Sequence, residues 1–111
     1  MNYSEVRATL YRQGMVDERK QVVFGVMECH QGEFSCIAAI KGSVLRIFKS
    51  DNAMNIGDLR FEFVIPNLTV TKARSFFLAP KLAFQYGGKR FALSHFGSAK
   101  EFIATFTKER E

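Results

Sequence analysis

Four side chains of the kind that hold metals or move electrons occur in this 111-residue chain: Cys29, His30, Cys36 and His95. A metal centre needs three or four such ligands at close spacing, and no CxxC or HxxxH pair is present. If Cys29 and Cys36 flank a hairpin turn at Gln31-Gly32, they fall about one pair out of register, so a disulfide between them would be strained. They read as small core residues, His30 as a turn residue and Ser94-His95 as a strand end. Neither histidine has neighbours that suggest a nucleophile held by an oriented base. Gly87-Gly88-Lys89 superficially resembles a phosphate loop, but it lacks the GxxxxGK[ST] spacing and the following helix whose amides would hold phosphate. The eleven carboxylates are spread singly, and no acid and base pair stands out among them. The expectation is no catalytic residue, no metal, no cofactor and no enzymatic activity.

Charge is the more informative signal. Sixteen basic residues against eleven acidic ones give a net charge of +5, which favours anionic partners weakly. Between Glu62 and Glu101 there is no acidic residue, while Lys72, Arg74, Lys81, Lys89, Arg90 and Lys100 add six positive charges. Paired strands would gather Lys72, Arg74, Lys81, Lys89 and Arg90 on a face able to meet phosphate, an acidic peptide or a lipid headgroup. The alternative is a solvated face whose lysines protect strand edges. Within the same half, Ser75-Phe76-Phe77-Leu78-Ala79-Pro80 breaks the strand period. If exposed, Phe76 and Phe77 would be apolar anchors at a partner or membrane interface; if the segment ends a long strand, Phe76 and Leu78 join the core. Basic and aromatic residues interleave as in sheets that stack bases, yet no RNP-type motif is present and nearly all the aromatics are Phe at core-phase positions.

The elements that must position these residues follow from spacing. Asn2 can cap a helix with Glu5 three residues on, and Gly14 supplies a left-handed stop. The apolar stripe Tyr3, Val6, Leu10 is thin, so this helix needs a sheet to lean on. From Gln21 to about Ser94 the period is two, which predicts strands at Val22–Cys29, Glu33–Ile40, Ser43–Lys49, Asp58–Ile65, Leu68–Arg74, Leu82–Tyr86 and Arg90–Ser94. The alternation of Leu59, Phe61, Phe63 and Ile65 against Arg60, Glu62 and Val64 predicts one buried face. His30-Gln31-Gly32, Lys41-Gly42 and Gly87-Gly88 are hairpin turns, and Pro66-Asn67 is a break. Ser98 can cap a final helix over Ser98–Glu109, whose Ala99, Phe102, Ile103 and Phe106 form one apolar stripe. The length suits one α+β unit, residues 1–111: an N-terminal helix in 1–14, a sheet region in 21–94 and a capping helix in 98–109. The seven antiparallel strands should form a strongly bent sheet or partly open barrel plugged by the last helix.

This order of elements, with Ile65-Pro66-Asn67-Leu68-Thr69-Val70, Lys81-Leu82-Ala83-Phe84, the Gly87-Gly88 turn, Phe91-Ala92-Leu93 and the closing Phe102, Ile103 and Phe106, resembles the pleckstrin-homology-like superfold, and within it the small bacterial PH-like and GRAM-like domains. The resemblance implies a barrel-like sandwich with a C-terminal helix and a role in binding lipid, peptide or protein without catalysis. Members that bind phosphoinositides use basic residues on the first two strands and their loop; here Met27–Glu33 carries two glutamates and no lysine or arginine.

The expected function is thus a non-catalytic binding or assembly module that meets a protein partner or anionic surface through Lys72, Arg74, Lys81, Lys89 and Arg90, with Phe76 and Phe77 as apolar anchors. A homo-oligomeric structural protein is the alternative, and a small nucleic-acid binder a further one. Two cysteines and no N-terminal signal suggest the cytoplasm, and no apolar stretch is long enough to span a membrane.

Overall fold

A computed structural model describes residues 2–18, 21–74, 80–94 and 99–110 of the chain. The first helix, α1, covers Tyr3–Arg12; the Asn2 side chain accepts the Glu5 amide at its start, and Gly14 turns the chain away with φ of 73°. Seven strands follow: β1 (Val22–Cys29), β2 (Gly32–Lys41), β3 (Val44–Ser50), β4 (Ile56–Val64), β5 (Thr69–Arg74), β6 (Lys81–Tyr86) and β7 (Lys89–Ser94). A 3₁₀ turn, Ile65–Asn67, sits at the proline break between β4 and β5. The second helix, α2, covers Ala99–Arg110; the expected cap Ser98, like His95 and the Phe76-Phe77 anchors, lies outside the described residues.

All neighbours pair antiparallel in one sheet ordered β4-β3-β2-β1-β7-β6-β5. The Gly87-Gly88 turn closes the β6–β7 hairpin with φ of 58° and 77°, the pair of positive values that a two-residue primed turn requires. Strand β4 lies at one end of the sheet and β6 near the other, yet the ring of Phe63 on β4 is 5.0 Å from Phe84 on β6 and 5.0 Å from Phe91 on β7. The sheet is therefore curled until its two halves face each other. Into that fold α2 inserts Phe102, Ile103 and Phe106, all buried, and Phe106 stacks on Phe84 at 6.4 Å.

A second apolar cluster occupies the outer side of β1–β3. There α1 lays Val6 and Leu10 on Val22, Ile37, Ala39 and Phe48. The run Cys36-Ile37-Ala38-Ala39-Ile40 is divided residue by residue between the two clusters: Cys36, Ala38 and Ile40 face inward, Ile37 and Ala39 face the helix. Polar contacts fix the helix in place. The carbonyl of Val22 accepts from the Tyr3 hydroxyl at 3.2 Å and from Arg7 Nε and Nη2 at 3.2 and 3.1 Å.

Two expectations are corrected. Leu59 is 46% exposed rather than on the inward face. Ile47 pairs with Phe61 but Phe48 pairs with Leu59, so Arg60 is an extra residue in β4 and the alternation inverts across it. The cysteines are further out of register than the turn suggests: Cys29 pairs with Gly32 and Cys36 with Gly25, and both thiols are free.

Burial pushes the Cys36 thiol from its ordinary 9.0 up to about 12, against a smaller lowering by a backbone hydrogen bond at Gly25. Because the folded value is raised, the folded state keeps a proton that the unfolded chain releases. The stability is fully present below pH 9 and is lost as pH climbs from about 9 toward 12. Wild type should therefore lose about 1.4 kcal/mol more per pH unit in that window than Cys36→Ala, measured by urea unfolding at successive pH values. Equal slopes would show that the thiol ionises as readily in the fold as outside it.

Candidate functional site

Cross-strand partners share a face, so the register spells out the outer surface of β1, β7, β6 and β5. One row runs Glu28, Ala92, Ala83, Lys72. On one side of it Ser94 pairs with Lys81, and Lys81 in turn with Arg74; on the other Arg90 pairs with Gln85. The inward partners of the same strands are Leu82, Phe84, Phe91 and Leu93, all buried in the core. Strand alternation thus points the apolar residues in and leaves two alanines at the centre of a charged outer face.

Two methyl groups among long side chains make a depression. An open groove of about 970 Å³ lies there, with Ala83 and Ala92 in its lining together with Glu28, Cys29 and His30 from the β1 side and Lys81, Gln85, Lys89 and Arg90 from the hairpin. Thr71 also lines it, at the point where β5 carries a register irregularity between Val70 and Lys72. The helix α1 covers the outer face over β1–β3 but does not extend here.

Of the expected binding residues, Lys81, Lys89 and Arg90 line this groove. Lys89 pairs with Tyr86 and belongs to the inward phase, but as the first residue of its strand it is exposed and joins the rim. Lys72 is exposed and stands one strand beyond Ala83, outside the lining. Arg74 is placed beside Lys81 by its backbone pairing. Phe76 and Phe77 lie outside the described residues. Among the described residues none of the Lys81, Lys89 and Arg90 side chains makes a hydrogen bond or ion pair, unlike Arg46, which meets Glu62 across the β3–β4 pair at 2.9 Å. The Ser94 hydroxyl beside Lys81 is buried and has no hydrogen-bond partner among the described residues.

Sequence reasoning missed Glu28, Ala83 and Ala92. The alanine pair was available from the Gly87-Gly88 turn, which fixes the hairpin register back to Ala83 and Ala92. The approach of Glu28 was not, because β1 meets β7 through a pairing between distant parts of the sequence.

A stacking platform for bases is not built from the phenylalanines, since every described one is buried or half-buried. Among the described residues no three His, Cys, Asp or Glu side chains are grouped to hold a metal ion. No described helix is long and apolar enough to cross a membrane.

No protein-family model and no curated protein matches the chain. Among solved structures, it is similar to the PH domain from TgAPH, with a TM-score of 0.57, 14% sequence identity and 97% of each chain covered. The curled seven-stranded antiparallel sheet, its closing C-terminal helix and this likeness over nearly the whole chain together identify the architecture as the PH fold.

Proposed function

We propose that this PH fold is a small bacterial PH-like or GRAM-like domain and serves as a non-catalytic binding module that recognises an anionic partner through the groove on its outer face. The observation that carries this reading is the set of cations around one depression, Lys81, Lys89 and Arg90, none of them neutralised by a carboxylate contact among the described residues. Unpaired positive charge above a shallow apolar floor attracts an anion and lets it shed water on contact. PH folds are typically binding modules, which agrees with this reading.

Charge reversal tests it. Lys81→Glu combined with Arg90→Glu should weaken binding to anionic vesicles and acidic peptides by about tenfold or more. The melting temperature should move little, because Arg90 is exposed, Lys81 is half-buried at the groove, and neither side chain makes an ion pair among the described residues. Unchanged binding would remove the groove from consideration.

Self-assembly is the second reading, favoured by β4, an end strand of the sheet that presents Leu59 at 46% and Val64 at 42% exposure. Light scattering across a dilution series separates the two readings, since a concentration-independent oligomer supports assembly and a monomer supports recognition.

A further inference from the structure

The groove is more selective than its charge alone implies. The Lys81 and Arg90 rows stand four residues apart along β6 and β7, with the alanine row midway. At about 3.3 Å per residue this separates the two cationic rows by about 13 Å and leaves about 6.6 Å from each to the alanines. An extended peptide has the same rhythm, because side chains at i, i+2 and i+4 leave one face at those intervals. The alanine row leaves room on this face for a large side chain to sit down, and the rows on either side each offer a cation.

Glu28 narrows the choice of ligand. It is half-buried, lies next to Ala92 in the register, lines the groove and has no partner among the described residues. A carboxylate at that point repels a densely charged polyphosphate, but it can accept a hydrogen bond from a peptide amide.

We propose that the groove binds an extended acidic peptide segment laid along the β6–β7 seam, with one bulky apolar side chain over Ala83 and Ala92 and carboxylates two residues to either side reaching Lys81 and Arg90. The proposal rests on the reading that this groove is the site of anion recognition.

Amide NMR titration of the full chain tests it. The probe is an acetylated, amidated heptapeptide with glutamates at its second and sixth positions, a central leucine, serines between and glycines at the ends. It should shift the Ala83 and Ala92 amides in a saturable way. A peptide of the same composition with adjacent glutamates, and one with a central glycine, should each bind about tenfold or more weakly. Ala92→Phe fills the depression toward solvent, so it should lower affinity about tenfold while leaving the melting temperature in place. Equal binding of the spaced and the rearranged peptides, or undiminished binding by Ala92→Phe, overturns the proposal. Phosphatidylcholine vesicles containing phosphatidylserine form the second arm. Vesicle binding that is lost in the Lys81→Glu, Arg90→Glu variant, with no peptide binding by wild type, overturns the peptide assignment and leaves the groove as a lipid site. Failure of both probes overturns the groove itself.

Discussion

Phe63→Ala should destabilise the protein by about 3 to 5 kcal/mol, a large share of the stability that holds a chain of this size together. Phe63 is 2% exposed. Its ring touches Phe84 and Phe91 at 5.0 Å each, Tyr86 at 5.5 Å and Phe61 at 5.6 Å. These partners belong to strands at opposite ends of the sheet, so the lost ring leaves a cavity where the two halves close on each other. Neither half can collapse into the gap without uncurling the strands between them, which places the cost at the upper part of the range for such truncations. The check is urea unfolding, with a lowered midpoint and an unchanged slope. Val64→Ala, one residue along on the outer side, should change the midpoint by no more than about 0.5 kcal/mol. A small effect at Phe63 would mean that the curl is held by something other than this aromatic cluster.

The second large effect is expected from Phe106→Ala, again about 3 to 5 kcal/mol, but with a different distribution through the structure. A helix of 12 residues is marginal alone in water, so α2 depends on the side chains it buries. Phe102, Ile103 and Phe106 are those side chains, and Phe106 is the one stacked on Phe84. Removing it should release the last turns of α2 first. Native-state hydrogen exchange should then show α2 amides close to unprotected while β1–β3 keep their protection. If α2 amides exchange as slowly as in wild type, the helix is held by contacts other than its phenylalanine stripe.

How far the sequence reveals this arrangement depends on how local each determinant is. All seven strands and both helices are legible because alternation, glycine turns and caps act within a few residues of where they take effect. Asn2 caps α1 as its spacing predicts, and the Gly87-Gly88 pair fixes the hairpin register on which the alanine row depends. What is not legible is non-local. The apolar run Cys36–Ile40 signals burial without showing that its two faces lie against different elements, a helix on one side and the curled sheet on the other. The position of Leu59 depends on a single extra residue in β4 that an alternating pattern conceals. The groove combines both kinds of information: its cations and alanines follow from one hairpin, whereas the Glu28 carboxylate in its lining arrives from β1.

The seating of α1 on the back of β1–β3 also bears on how the molecule tolerates trimming. A chain cut to begin at Gln21, where the strands start, would bare Val22, Ile37, Ala39 and Phe48 side by side. Such a contiguous greasy surface invites clumping between copies. The opening helix thus acts as a solubility shield for the sheet behind it, and a shortened version would reveal its loss first in the insoluble fraction.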